Sequence, residues 1–554
     1  MIRSLTEHQE IVNMPAIVIG ESKGRVYDRI GGRTLNDAVA ERAVERPDAP
    51  FLVFEAADGT VQQLTYREFD ARCDAVAGGL AQLGVTQGDK VVLRMTTRAE
   101  LLISWFALLR IGAVAVPAIL SLTPDETAWM AEFVDAVGVI TEPAWQESYE
   151  HLRTSLPELR HVVVVADEPG LAQDGVVTLA ELERPSRGYV APTLAPDDLA
   201  QIIFTSGSTS RPKAVMITHA NLLHSGERQS SMRALDDGER CLTALPWFHV
   251  NCQCVTVLAA LAVGGTAILL ERYSASRFME QVRRHRATQV TLGSMLVRTL
   301  LAQPPSPDDA RHDVRRAFYG LAITDEERET FERRFSMTLL NGYGLSEAVA
   351  EVTAVPVHGP KRWPSIGLPV QDRLVRLVDD VGQDVAPGET GEIMVYGRPG
   401  WTLMKGYYRD PEATARTIRD GWLLTGDLAR ADEVGYLYFV GRKKDVIKRA
   451  GENVSALEVE ETLMSHPAVV EVAVVAAPDL MRDEAVWAFV AVTDDAIDEQ
   501  QLIDHCAQHL APFKVPSVVR LRGALPVSAV GKIDKERLRR EARNLVDADS
   551  PTTR

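Results

Sequence analysis

The chain has 554 residues, 46% of them apolar and 25% charged, with 77 acids against 60 bases and a net charge of −17. That length exceeds what one hydrophobic core serves and predicts two or more domains. The acidic balance excludes a general nucleic-acid surface, which carries an excess of Lys and Arg, and leaves room for a local basic pocket around a phosphorylated ligand.

In chain order, the opening stretch "MIRSLTEHQEIVNMPAIVIGES" has acids where a signal peptide needs an unbroken apolar run. Phe69, Cys73, Val76, Leu80 and Leu83 recur at the spacing of one helix face, and Gly84 with "TQGDK" ends that helix before the strand "VVLRM". The most apolar window, "LLISWFALLRIGAVAVPAIL" at 101–120, resembles a membrane span. Arg110 at its centre would cost roughly 2.5–3.5 kcal/mol in a bilayer, and Gly112 and Pro117 break it. A buried helix over about 99–111 followed by a core strand over about 113–117 is the expected structure, with no membrane span. The short β-branched runs "VGVIT", "HVVVVAD", "TAILLE" and "ATQVTL" alternate with helix-like segments. That alternation predicts an α/β fold with largely parallel sheets.

After about residue 375 the texture changes. "VRLVDD", "GEIMVYG" and "GYLYFVG" predict a β-rich subdomain. From there to the end, "EVAVVA", "AVWAFVAV", a helix near 499–510 and "VVRLRGAL" predict a small α+β domain. The expected division is 1–443 and 444–554, with a hinge near 443–445. Cys73, Cys241, Cys252, Cys254 and Cys506 are five, irregularly spaced. They form neither a disulfide framework nor a zinc pattern, and a reducing cytoplasm is the expected compartment.

Five stretches carry chemistry. "FTSGSTSRPKAV" at 204–215 follows an apolar run with a Ser/Thr/Gly loop and Lys213. This is the pattern of a phosphate cradle, in which Thr205, Ser206, Gly207, Ser208, Thr209 and Ser210 offer hydroxyls and backbone N–H groups. It is not a Walker loop, and taken alone it also reads as a solvated loop. "NGYGLSE" at 341–347 surrounds Tyr343 with glycines that let a planar ring approach the backbone. It ends on Glu347, a carboxylate able to hold Mg²⁺ together with substrate phosphates. "LLTGDLAR" presents Asp427 to a ribose; alone it reads as a turn-stabilising Asp. "GRKKDVIKRAGENV" contributes Arg442 and a basic glycine loop, or a solvated face. "PVSAVGKIDK" places Lys532 in a glycine turn, or in a solvated tail.

Together, in this order and at these separations, the five stretches resemble the adenylate-forming superfamily of acyl-CoA synthetases, peptide-synthetase adenylation domains and firefly-type luciferases. The resemblance covers about residues 30–540. The runs "FHVNCQCVTVLAALAVGGTAILLERYSASRF" and "KRWPSIG" and the Ser-Arg of the phosphate loop resemble the carnitine/crotonobetaine-CoA ligase-like subgroup.

The resemblance implies an enzyme with two half-reactions. A carboxylate attacks the α-phosphate of ATP to give an acyl-adenylate and pyrophosphate, and the thiol of coenzyme A then displaces AMP. It assigns 205–213, with Lys213, to the β- and γ-phosphates, Tyr343 to adenine stacking, Asp427 to the ribose, Arg442 to the ribose–phosphate region and Glu347 to Mg²⁺. Gly320, Gly342, Gly344 and Ser346 complete the nucleotide site. Lys532 bridges carboxylate and α-phosphate. Rotation about Lys444 then withdraws Lys532 and presents Lys448, Arg449 and Gly451, with Lys514, for thioester formation. The acyl pocket is expected near His249, Val250, Asn251, Cys254, Gly293 and Asn341, with 292–294 and 318–322. His249 matches an aromatic gating position, or else packs in a polar core. Trp247, Phe248 and Trp363 are the aromatics available to cage a quaternary ammonium, and they do not form a committed cage.

Family members carry Gly where this chain has Ala214. The added methyl is tolerated if the residue already has extended backbone angles. Otherwise adenylation is weak and the protein converts a preformed acyl-adenylate. The same residues are also compatible with loading of an acyl-carrier protein, or with a non-catalytic nucleotide or acyl-CoA binding protein. A homodimer is compatible with each of these readings.

Overall fold

The computed structural model describes residues 30–166, 176–184, 189–205, 212–320, 323–449, 452–479, 483–493, 497–528 and 532–549. They fall into two compact units. Of the described residues, one unit comprises those within 30–375 and 395–423, and the other those within 376–394 and 424–549.

The larger unit is built on two sheets. Among the described residues, a nine-stranded sheet runs from edge to edge through Leu368–Pro369, Ala350–Ala354, Thr338–Leu345, Arg316–Gly320, Gln289–Gly293, Arg240–Thr243, Thr266–Leu270, Pro50–Glu55 and Val61–Thr65. Its centre is parallel and its two ends are antiparallel. An eight-stranded sheet runs through Gly406–Tyr407, Lys213–Thr218, Leu199–Thr205, Val114–Pro117, Lys90–Arg94, Ala136–Thr141, His161–Val164 and Val176–Thr178. The runs read as parallel strands are strands, buried on both faces as crossover connections require.

The helix expected after residue 64 is Tyr66–Gln82, with a Thr65/Glu68 capping box and with Phe69, Cys73, Val76 and Leu80 buried. The apolar window resolves into the helix Ala99–Arg110 and the strand Val114–Pro117. Nearly every residue of that helix is buried, so it lacks the polar face of a surface helix. Its charge is paired: Arg110 meets Asp70 and Asp74, each at 2.6 Å, across the neighbouring helix. Among the described residues no helix is long and apolar enough to cross a membrane.

In the smaller unit, the strands Trp422–Ala431 and Leu437–Arg442 pair antiparallel with Asp427 opposite Arg442. The expected hinge residues form the 3-10 turn Lys443–Asp445. Beyond it, a sheet runs through Glu452–Ser455, Val446–Arg449, Asp483–Val492 and Val469–Asp479, with Val518–Arg522 parallel to Asp483–Val492. The helices Ala456–Met464 and Glu499–His509 pack Val459, Leu463, Leu502 and Cys506 against this sheet's Val474 and Val486.

Burying a guanidinium is tolerable only while its partners remain. Arg110→Ala is expected to lower the stability of the larger unit by about 1–3 kcal/mol, read as a shift in its urea midpoint without a change in slope.

Candidate active site

The loop expected to cradle phosphates hangs from a hairpin. Leu199–Thr205 and Lys213–Thr218 pair antiparallel with Thr205 opposite Lys213, and Thr205 Oγ1 donates to the Lys213 carbonyl over 3.4 Å. Ser206, Gly207, Ser208, Thr209 and Ser210 lie outside the described residues. The Lys213 ammonium lies 4.4 Å from the centroid of the Tyr407 ring. Ala214 is an ordinary strand residue opposite Phe204. It is buried with Ile202 in the core, and its carbonyl accepts from Tyr408 N at 2.8 Å. The methyl that could have crowded a phosphate loop is packed into the protein instead.

The second arm follows the strand Thr338–Leu345 into the 3-10 turn Ser346–Ala348 and back along Ala350–Ala354. Gly293 lies opposite Gly320, and Tyr319 opposite Asn341, at the carboxyl ends of parallel strands. The crevice beyond such ends is where open α/β sheets bind ligands. Asn341 is buried; its Nδ2 donates to the Ser365 carbonyl at 3.3 Å. Among the described residues its Oδ1 has no donor, and it can accept from an N–H or O–H of a ligand. Gly342 and Gly344 have a reason internal to the sheet. A Cβ at Gly342 would stand 2.4 Å from Phe318 Cζ, and one at Gly344 would stand 2.4 Å from the Ala350 carbonyl oxygen.

Glu347 sits in the turn after this strand. Its Oε1 accepts from the Tyr407 hydroxyl at 2.9 Å, and its carbonyl accepts from Met404 N at 2.9 Å. Glu347 and Lys213, about 130 residues apart in sequence, therefore meet on one tyrosine that the sequence motifs do not single out. The only signal for Tyr407 is its place in "KGYYRD", where an aromatic follows Gly406. A single carboxylate suits Mg²⁺, which is held mostly through substrate phosphates. Among the described residues no group of three or more His, Cys, Asp or Glu could form a protein-only metal cage.

Behind this turn is a buried charged cluster that no sequence motif announces. Val349 and Ala350 have φ of 51° and 74°, a costly conformation for a β-branched residue. Arg373 holds the turn by donating to the carbonyls of Ala348 and Thr402. Ser225 Oγ donates to the Val349 carbonyl at 3.1 Å, and Arg228 does so at 3.3 Å. Arg228 also pairs with Asp372 at 2.8 Å. Burial pushes the carboxyl of neighbouring Glu351 up to about 7, against the pull of Arg233, Arg228 and Arg373.

The expected acyl segment enters the π-helix Asn251–Leu258, a geometry frequent at functional sites. The rings of Phe248 and His249 are 4.6 Å apart, Val250 is 9% exposed, and Asn251 Oδ1 has no donor among the described residues. Cys254 departs from the expectation that it lines the pocket. It is fully enclosed in the core, and burial raises its thiol to about 12. Trp247 is buried and packs edge-on against Trp105 at 5.2 Å. Trp363 stacks on Tyr319 at 6.1 Å, with the Arg328 guanidinium 5.2 Å from its ring.

In the smaller unit, Asp427 is 5% exposed and pairs with Arg442 Nε at 3.2 Å. Lys443 bridges Asp380 at 2.9 Å and Glu392 at 3.0 Å, and burial lowers the Lys444 ammonium. Lys448 is exposed on the strand Val446–Arg449, with its N–H bonded to Glu484 at 2.7 Å. Arg449 departs from the expected ligand-facing position. It is buried and donates to the carbonyls of Phe513 and Val515, both at 2.8 Å, so it braces that loop. Lys514 is paired with Glu458 at 2.6 Å. Lys532 is exposed, its carbonyl accepting from Ser528 N at 2.6 Å. Gly451 lies outside the described residues.

Comparison with known proteins gives a consistent picture. The AMP-binding enzyme family matches residues 39–408, and its C-terminal domain matches 458–532. A crotonobetaine/carnitine–CoA ligase from Salmonella enteritidis is 36% identical over 518 residues, 92% of this chain and 100% of the relative. An anthranilate CoA ligase solved with anthranoyl-AMP superposes with a TM-score of 0.83 at 26% identity, over 93% of this chain and 98% of that one. An o-succinylbenzoate CoA synthetase from Bacillus subtilis, solved with ATP and a magnesium ion, gives 0.78 at 26% identity, over 91% and 98%.

The elevated Glu351 has a measurable consequence. With its native value at about 7 against 4.5, the folded state keeps a proton that the unfolded chain has released between those values. The stability Glu351 contributes is thus fully present below pH 4.5 and lost as pH rises through 7. Glu351→Gln should remove that slope. In urea titrations across this range, the variant is expected to gain on the wild type as pH rises.

Proposed function

The chain belongs to the AMP-binding enzyme family, and from that premise we propose that it is an ATP-dependent acyl-CoA ligase working through an acyl-adenylate. The observation that supports the assignment of roles is the meeting of Lys213 and Glu347 on Tyr407, a cation and a carboxylate brought to one side chain.

In the first half-reaction a carboxylate oxygen bonds to the α-phosphorus of ATP and the bond to pyrophosphate breaks. Charge gathers on the phosphates, and preorganised cations lower that barrier. Lys213 and the loop 205–213 hold the β- and γ-phosphates. Glu347 would hold Mg²⁺, which neutralises phosphate charge. Gly342, Tyr343, Gly344, Gly320 and Ser346 hold the adenine side. Asp427 accepts the ribose hydroxyls, and Arg442 lies beside it. Lys532 bridges the carboxylate and the α-phosphate. In the second half-reaction the thiol sulfur of coenzyme A bonds to the acyl carbon. The bond to AMP breaks, and the thiol proton passes to solvent. For this step the residues 444–554 turn about Lys444 and bring the strand of Lys448 and the adjoining Gly451 to the acyl group.

His249, Val250, Asn251, Gly293 and Asn341 line the acyl side, and the acid carries no fixed positive charge. A quaternary ammonium needs an aromatic or anionic cage. Trp247 is spent on core packing, and Trp363 already has a guanidinium against its ring. Ala214, packed as a strand residue, removes the motive for weak adenylation. The five cysteines are free, buried thiols, which favours the reducing cytoplasm.

Lys532→Ala should lower acid-dependent pyrophosphate exchange by about 10²–10³-fold, the cost of losing one preorganised charge contact. Thioester formation from synthetic acyl-adenylate should be retained, and equal loss of both steps would refute the division of labour. In a panel pairing crotonobetaine with crotonate, AMP release should favour crotonate. Preference for the betaine would overturn the substrate reading.

A further inference from the structure

Tyr407 is stitched into the site from three sides. Its short strand Gly406–Tyr407 lies on the edge of Lys213–Thr218, with Tyr407 opposite Val215 and Gly406 opposite Met216. Lys405 N and Tyr408 N add bonds to the carbonyls of Met216 and Ala214, at 2.9 and 2.8 Å. Tyr407 N donates to Thr414 Oγ1 at 2.8 Å, and Met404 N ties the same segment to the Glu347 carbonyl. The side chain is only 5% exposed, and its two ends do different work. The hydroxyl donates to Glu347 Oε1 at 2.9 Å, and the ring faces the Lys213 ammonium at 4.4 Å.

We propose that Tyr407 is a positioning residue of the adenylation step. Its hydroxyl fixes the rotamer of Glu347 for the metal, and its ring holds Lys213 for the phosphates, keeping the two opposite charges from pairing with each other. This inference rests on the ligase reading above. The geometry supports it in two ways. A hydrogen bond to one carboxylate oxygen leaves the second aimed and available, as partners of metal ligands commonly do. A ring face attracts an ammonium without consuming its three N–H donors, so Lys213 remains able to bond phosphate oxygens. A carboxylate in the same place would have neutralised the lysine. The backbone around Glu347 is already locked by Arg373, Arg228 and Ser225, which leaves its side-chain torsions as the freedom Tyr407 removes.

The two ends of the side chain can be removed separately. Tyr407→Phe keeps the ring and deletes the hydroxyl; Tyr407→Leu deletes both. Binding of Mn²⁺ to the protein–ATP complex is read by electron paramagnetic resonance, and the Mg²⁺ dependence of pyrophosphate exchange is followed alongside. Tyr407→Phe should weaken Mn²⁺ binding and raise the Mg²⁺ requirement about tenfold, as loss of a partner of a metal ligand does. Its KM for ATP at saturating Mg²⁺ should stay unchanged. Tyr407→Leu should add a rise of roughly fivefold in the KM for ATP, from loss of the cation–ring contact. Tyr407→Phe should keep a near-wild-type melting temperature, Tyr407→Leu should melt lower because it truncates a buried ring, and both, while folded, should keep the wild-type rate of thioester formation from synthetic acyl-adenylate.

Unchanged Mn²⁺ binding in Tyr407→Phe overturns the proposal, as does parallel loss of both half-reactions, which would make the residue a packing element. Failure of the wild type to exchange pyrophosphate with any acid would count against the ligase reading. The Mn²⁺–ATP measurement on the two variants still decides the role of Tyr407 in that case.

Discussion

The candidate site turns on one interaction: Lys213 and Glu347 meet on the two ends of Tyr407. An ion pair between Lys213 and Glu347 would satisfy both and leave little charge for a nucleotide or a metal. Tyr407 resolves the conflict by meeting each group with a different part of one side chain, the ring for the cation and the hydroxyl for the anion. The strand pairing that places Tyr407 beside Val215 therefore does more than extend a sheet.

The same site shows why its second layer is so heavily charged. The turn carrying Glu347 places Val349 in a left-handed conformation. Such a turn persists only where its surroundings over-determine it. Arg373 and Arg228 supply that constraint through backbone carbonyls, and Asp372 keeps Arg228 in place. The buried guanidiniums are costly in themselves, and the carbonyls and the carboxylate they bind are what offset that cost while fixing the turn.

Much of the fold was legible because periodicity reports burial directly. The helix Tyr66–Gln82 follows from its apolar spacing. The centre of the nine-stranded sheet follows from β-branched runs too short to be helices. Arg110 was readable as an argument against a membrane span, but its partners Asp70 and Asp74 were not, because they sit on a different helix. Arg449 and Cys254 mark the opposite limit. The family resemblance implied a ligand-facing Arg449 and a Cys254 near the acyl pocket. Burial turned one into a brace for the carbonyls at 513 and 515 and the other into core. Neither outcome has a local signature.

By itself the sequence determined the chemical class, because five glycine-rich or cationic stretches in a fixed order constrain what ligand they serve. It also determined the alternation of elements, because hydrophobic period is a property of neighbours in the chain. The tertiary structure alone decided which charge faces which. Lys213, Glu347 and Tyr407 come from three segments separated by tens to more than a hundred residues, and only sheet pairing and the held turn bring them together. Contacts between distant segments leave no period in the chain, so their partners became visible only once the strands had found their order.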